Sequence, residues 1–354
     1  MPHTGNRGEW SELYVLCKLL SEMELTDVNS DTMPIRAIIR GSIESPVEKY
    51  EVCTTPNMIL VKHTGDLLIS QSEYGKDAEL LLKSMKAFKR GNRAFPIPKA
   101  ENIMNDHLHC DSVKAPLKRT SKKKADIFLH LHDTMTGHEH WCGFSIKSKF
   151  GAPATLLNPS SATIFTYRVN GLPVEEVEKY NSRFNDSTTQ LVQALYHDGY
   201  YLSLKTVDNR FRKNMEKIDS RMDEIIAQML LCFFRDELNH CKDIVKKMEE
   251  EDPMSFENEG IYAYKYKNLL YAIALGLSPA APWDGSEEAN GGYITVSKKG
   301  EIEAHYLYDR DNFKRFLLEQ TQFTSPSRSR YGYGHLFSQD GEALINLCLQ
   351  IRFL

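Results

Sequence analysis

The chain of 354 residues has no excess of basic charge: 44 Lys and Arg stand against 48 Asp and Glu, a formal charge of −4. That balance excludes a protein coated in positive charge, and on the total alone nucleic acid is not the first partner to expect. Cysteine pairing is also lacking. The seven cysteines, at 17, 53, 110, 142, 232, 241 and 348, are scattered and form no CxxC pair. This argues against a disulfide framework or a four-cysteine zinc site and for reduced thiols in a cytoplasmic protein. No long apolar run exists. The longest, near residues 225–234, is broken by Gln228 and falls short of the ~20 residues that span a bilayer, so no membrane partner is expected. The opening MPHTGNRGEWSE is polar and has no apolar stretch of the kind a secretory signal needs. Internal repeats and low-complexity segments are absent. With 41% hydrophobic and 26% charged residues, the composition is ordinary for a globular protein, which excludes disordered and fibrous classes.

At ~150 residues per domain, the length suggests two domains or one large one. Trp10, Leu13, Leu16, Cys17 and Leu20 recur at helical spacing after Gly8, leaving Glu9 and Glu12 near the first turn. Residues 57–70 read as strand with a turn at 63–66, and 77–88 as helix. Residues 91–98 are a breaker stretch. Helices are expected at 171–180, 221–234 and 262–277, and a hairpin at 293–297 and 301–308. The acidic stretch 249–253 is taken as a loose boundary. It separates an expected core at 1–248 from a C-terminal segment at 254–354.

The informative stretch is 114–151. Lys114, Lys118, Arg119, Lys122, Lys123 and Lys124 occur with no acid among them. Asp126 follows, on a run that alternates Ile127, Leu129 and Leu131 with Phe128, His130 and His132. A turn at 134–137 leads to a second alternating run. There Cys142, Phe144 and Ile146 fall on one face, and Trp141, Gly143, Ser145 and Lys147 on the other. A turn centred between Met135 and Thr136 sets Asp126 opposite Ser145, with Lys147 two residues along. Opposed residues of an antiparallel pair point to the same face. That register puts the apolar set on one side and Asp126, Ser145 and Lys147 together on the other.

An aspartate and a lysine on neighbouring strands suit phosphodiester chemistry. A carboxylate can hold Mg²⁺, which prefers oxygen ligands and keeps several waters. A lysine can orient a water and offset charge building on phosphorus, and the upstream basic run can neutralise backbone phosphates. An Asp–Lys pair across a hairpin is equally the ordinary surface salt bridge, worth under ~1 kcal/mol, and spacing alone leaves both readings open.

The pattern D-(x)n-[DES]-x-K on a hairpin, preceded by a helix bearing Glu, resembles the PD-(D/E)xK nuclease superfamily. Several ordered stretches resemble the HpaII-type type II restriction endonucleases more specifically. These are NRGEWSELYVLCKLL at 6–20, KADIFLHLHD at 124–133, CGFSIKSKFGAPATLLNPSSAT at 142–163, SPAAPWDGSEEANGGYITV at 278–296 and INLCLQIRFL at 345–354. The likeness covers nearly the whole chain. Its most specific parts are GFSIKS followed by TLLN, and WDG followed by NGGYI.

The resemblance implies an α/β fold: a PD-(D/E)xK restriction-endonuclease-like core, with a mixed sheet flanked by helices, and an α+β C-terminal extension contributing DNA contacts. It implies Mg²⁺-dependent cleavage of double-stranded DNA at a short palindrome, CCGG or a related sequence, leaving 5′-phosphate and 3′-hydroxyl ends. Asp126 matches the metal-binding aspartate and Lys147 the catalytic lysine, and Ile146 would lend its backbone carbonyl to the metal. Ser145 stands where the common pattern has an acid, so a further carboxylate must come from elsewhere. Glu12 is the favoured source and Glu9 the alternative, three residues away on nearly the same helical face. Either glutamate could instead serve the helix N-terminus. A palindrome implies a homodimer, and a cognate DNA methyltransferase is the implied functional partner. Two other readings stand beside this one: a non-cleaving DNA-binding protein with a decayed site, and a structure-selective repair nuclease.

Further candidates carry less. HxH pairs at 107/109, 130/132 and 138/140 put both rings of each pair on one strand face, a possible zinc arrangement. Lys149 could replace Lys147 or touch phosphate. Arg328 and Arg330, in SPSRSRYGYGH, could reach phosphates or a guanine edge. WDG at 283–285 reads as a turn anchored by a buried Trp, and Trp10 as core.

Overall fold

The computed structural model describes residues 3–26, 36–45, 48–53, 55–62, 67–88, 93–109, 124–134, 137–306, 309–326 and 332–354. Lys122, Lys123, Arg328 and Arg330, the expected DNA contacts, lie outside the described residues, as does most of the basic run. The chain divides into two compact units. The first comprises Met1–Ala154, Ala274–Gly276 and Glu287–Phe313; the second comprises Thr155–Ile273, Leu277–Ser286 and Lys314–Leu354. The hairpin near 293–308, which the sequence reading put in the C-terminal segment, falls in the first unit.

The first unit is built on a nine-stranded sheet. Its strand order is Ile302–Tyr306, Gly292–Val296, Glu139–Ser148, Ile127–Asp133, Arg36–Glu44, Lys49–Val52, Met58–Val61 and Leu67–Ser70, with Glu24–Thr26 also pairing to Arg36–Glu44. Every pairing is antiparallel except that of Gly292–Val296 with Glu139–Ser148, which is parallel. The sheet is therefore mixed, and the α/β expectation of a mixed sheet flanked by helices holds. The hairpin expected at 57–70 forms as Met58–Val61 and Leu67–Ser70.

Helices Arg7–Glu22 and Gln71–Ala87 pack together and cover the apolar face of this sheet. The first starts at Arg7, two residues before the start expected just after Gly8. Asn6 is its N-cap, accepting from the Glu9 N–H at 3.1 Å, while the Glu9 carboxylate accepts from the Asn6 N–H at 2.8 Å. Such a reciprocal cap satisfies donors that the first turn leaves open and contributes ~1 kcal/mol. The apolar stripe read from the sequence (Trp10, Leu13, Leu16, Cys17, Leu20) is fully buried. The Trp10 indole N–H, which burial would otherwise leave unpaired, donates to the Phe95 carbonyl at 3.0 Å. Trp10 is core, as expected.

The second unit carries a four-stranded antiparallel sheet, ordered Tyr201–Val207, Ile164–Asn170, Glu342–Cys348 and Leu336–Gln339. A three-stranded sheet is made of Thr155–Leu157, Ile351–Phe353 and Thr321–Phe323. Helix Met222–Arg235 forms where 221–234 was expected, with Ile225, Ile226, Met229 and Leu230 buried and Phe233, also expected on the buried stripe, only half-buried. The helix expected at 171–180 is displaced: a short 3-10 turn leads into Val177–Arg183.

The acidic stretch at 249–253 is part helix and part break. Helix Cys241–Glu251 takes in its first three acids, supported by Lys246–Glu250 and Lys247–Glu251 pairs one turn apart, and ends at Asp252 with φ 38°. The Glu249 carboxylate then accepts from the N–H groups of Gly260 and Ala263, at the start of helix Ile261–Leu275. These acids serve helix ends. Cys17, Cys53, Cys142, Cys232, Cys241 and Cys348 are free thiols. No helix of the described residues is long and apolar enough to cross a membrane.

Candidate active site

The central hairpin adopts the register that the alternation dictates. Ile127 pairs with Phe144, Leu129 with Cys142, and His132 with Glu139. Ile127, Leu129, Leu131, Cys142, Phe144 and Ile146 are all buried on the helix-covered face. Asp126 immediately precedes the first strand, and its N–H donates to the Phe144 carbonyl at 2.7 Å, so the ladder holds its backbone.

On the opposite face, three side chains form a continuous chain. The Ser145 hydroxyl donates to Asp126 Oδ2 at 3.1 Å, and the Ile146 N–H donates to the same oxygen at 2.8 Å. Lys147 Nζ donates to Ser145 Oγ at 2.8 Å. Asp126 and Ser145 are only 5% and 3% exposed, whereas Lys147 is half-buried. A buried carboxylate needs such donors. Both fall on Oδ2, leaving Oδ1 with no hydrogen bond among the described residues.

The parallel strand completes this face. Ser145 pairs with Tyr293 and Lys147 with Thr295; on the far side Tyr293 pairs with His305. The segment leading into the strand is clipped to the hairpin. Gly143 N–H donates to Asn290 Oδ1 at 2.7 Å, Gly291 N–H donates to the Gly143 carbonyl at 2.7 Å, and Lys124 N–H donates to a Glu288 carboxylate oxygen at 2.8 Å. The approach is too close for side chains. A Cβ on Gly143 would lie 2.5 Å from the Glu288 carbonyl oxygen, and one on Gly291 would lie 2.6 Å from the Phe144 ring. This gives a physical reason for glycine in the NGGYI stretch.

His305 is 6% exposed, with Nε2 3.4 Å from Thr295 Oγ1. Burial, and then the positive charge of Lys149, push its pKa down from 6.5 to about 4. The folded chain thus refuses a proton that the unfolded chain accepts, so this site's stability is present above pH 6.5 and lost as pH falls towards 4. Wild type should lose ~2–3 kcal/mol more than His305→Gln between pH 7 and pH 4.5, read from urea midpoints. Equal losses in the two proteins would dismiss the assignment.

The other expected residues are placed as follows. Glu9 is occupied by the helix cap. Glu12 is half-buried on the same helix; its neighbour Ser11 lies with Oγ 2.7 Å from Oγ of Ser148, the residue after Lys147. Lys149 is exposed just past the strand, and its N–H donates to the Val296 carbonyl at 2.9 Å. His107 Nδ1 lies 2.5 Å from Asp77 Oδ2. His130 and His132 stand 3.6 and 3.7 Å from Glu139. Among the described residues no group of three or more His, Cys, Asp or Glu could hold a metal ion, so the zinc reading of the HxH pairs gains no support. The WDG stretch is a turn, as expected: Trp283 Nε1–H donates to the Ser286 carbonyl at 2.9 Å, the Asp284 carboxylate accepts from the Ser286 N–H at 2.9 Å, and Gly285 has φ 98°. Trp283 itself is half-buried rather than buried.

Residues 6–353 match the family model described as HpaII restriction endonuclease. The chain belongs to that family. The chain is 33% identical to the type II restriction enzyme HpaII of Haemophilus parainfluenzae, over 99% of each chain. No solved structure matches it. As a member of the HpaII family, it is a type II site-specific deoxyribonuclease, a hydrolase that cleaves DNA at a specific sequence. Sequence reasoning assigned Asp126, Ser145 and Lys147 to one face but gave Tyr293 no role. The aromatic residue in NGGYI was the available signal.

Proposed function

We propose that Asp126, Ser145 and Lys147 form the phosphodiester-cleaving site of a PD-(D/E)xK-type nuclease that cuts both strands of a short palindrome. The observation that carries this reading is the unbroken chain from Lys147 Nζ through Ser145 Oγ to Asp126 Oδ2, in a member of a DNA-cleaving family.

The donor set suits Mg²⁺ to this extent: Asp126 offers one oriented carboxylate whose Oδ1 is left over, and Mg²⁺ commonly takes one or two carboxylates while keeping waters and substrate phosphate oxygens. Asp126 would hold it, with the Ile146 carbonyl and Glu12 as further oxygen donors. When bound, such an ion polarises a phosphate and lowers the pKa of a coordinated water. Lys147 places a positive charge beside the phosphate, where negative charge develops. Ser145, in the position of the usual acid, ties the lysine to the aspartate and fixes the direction of both. Lys124 and Lys149 flank the trio in sequence and serve as phosphate contacts, as do Lys122, Lys123, Arg328 and Arg330.

The target is CCGG or a related palindrome, read by a two-fold homodimer, and the products carry 5′-phosphate and 3′-hydroxyl ends. A DNA methyltransferase protecting the same sequence is the functional partner, and genomic context would reveal it. Digestion of phage DNA with Mg²⁺, followed by sequencing of the ends, tests the reading. Discrete fragments sharing one end sequence are expected, with none in EDTA. Specific binding without cutting would instead support a decayed site, and cutting confined to flaps or junctions would support a repair nuclease.

A further inference from the structure

The Lys147 ammonium lies 5.0 Å from the centroid of the Tyr293 ring. We propose that Tyr293 is a positioning residue for Lys147, its aromatic face holding the ammonium in line with Ser145 and Asp126. The inference rests on the reading of Lys147 as catalytic.

The geometry is built. Tyr293 pairs with Ser145 in the parallel ladder, and paired positions share a face, so ring and hydroxyl address the same lysine from adjacent strands. Lysine reaches its site on a flexible four-carbon stem. The hydrogen bond to Ser145 fixes a distance but not, by itself, the direction of approach. A ring face below the ammonium adds a second direction of restraint, because a cation is attracted to the negative face of the π system.

The ring is held by its packing. It is 2% exposed and meets Phe313 edge-on, with centroids 5.5 Å apart at 85°. Its hydroxyl donates to the Ala274 carbonyl at 3.4 Å. Burial, and then the charge of Asp126, hold the phenol pKa well above its ordinary value, so the ring stays neutral. The glycine clip at Gly143 and Gly291 sets the strand that carries it. Unlike a carboxylate, the ring attracts the ammonium without accepting its protons, leaving those protons for a phosphate oxygen or water.

The test keeps ring shape and varies only its electron density. Tyr293→Phe sets the reference rate. Residue 293 is then replaced by 4-fluoro-, 3,5-difluoro- and 3,4,5-trifluorophenylalanine through a suppressor tRNA. Single-turnover cleavage and DNA affinity are measured for each, beside Lys147→Ala. The cleavage rate should fall stepwise with each fluorine, by about three- to thirtyfold across the series, while affinity and Tm stay level. Equal rates across the series would overturn the proposal, as would a Tyr293→Phe protein as inactive as Lys147→Ala. Should Lys147→Ala cleave normally, the reading of the lysine fails and the inference falls with it. An inactive Lys147→Ala protein with a flat fluorine series would overturn the role of Tyr293 alone.

Discussion

Lys147→Ala should lower the single-turnover rate of DNA cleavage by about 10²–10³ or more, with affinity for target DNA changed only a few-fold. The magnitude is that of removing one group aimed at developing charge in a water-poor site. The asymmetry follows from position. In the proposed site the half-buried lysine stands beside the scissile phosphate, whereas affinity is spread over many phosphate contacts. Lys147→Arg should not restore the rate. The planar guanidinium is a rigid fork and cannot make the single-point contact to Ser145 Oγ while lying over the Tyr293 ring as a compact ammonium does. A variant lacking Lys147 that cleaves at the wild-type rate would remove the hairpin from the chemistry altogether.

Asp126→Asn should be comparably severe, for a different reason. The amide is nearly the same shape, and its oxygen can still accept from the Ser145 hydroxyl and the Ile146 N–H. Fold and Tm should therefore change little. The charge is lost, and with it the only acid hydrogen-bonded to Ser145 among the described residues. Cleavage should fall by about 10³, and any tightening of DNA binding by Mg²⁺ should disappear. Retained Mg²⁺-dependent tightening would move the metal to other ligands. Glu12→Gln would then be the next substitution to compare, since the helix bearing it touches the hairpin through Ser11 and Ser148.

The hairpin was legible because its information is local. Strict alternation from Ile127 to Leu131 and from Cys142 to Ile146, with a short turn between, favours the register that gathers Ile127, Leu129, Leu131, Cys142, Phe144 and Ile146 on one buried face; a slip by one residue would set that apolar set against the polar face of the partner strand. Helix Arg7–Glu22 was legible for the same reason, at a different period. What the local pattern could not carry was the neighbour of the second strand. Nothing within residues 139–148 announces that 292–296 will lie beside them in parallel, because such a pairing needs a crossover and leaves no turn signal. Tyr293 was overlooked with it. The acids at 249–252 misled because a run of like charge reads as a solvated break, whereas lysines one turn earlier and open amides at the next helix give each acid a partner.

The parallel strand has a consequence in time. Asp126 and Lys147 emerge early in synthesis, yet the ring beneath the lysine and Gly291, one of the two glycines that seat its strand, belong to residues 291–293. At ~5–20 residues per second, the intervening chain takes on the order of 7–30 s to make. A nascent or truncated chain ending within that interval owns the acid and the base but not the strand that arrays them. On the proposed assignment, the centre of this DNA-cutting enzyme is complete only once most of its length has been made.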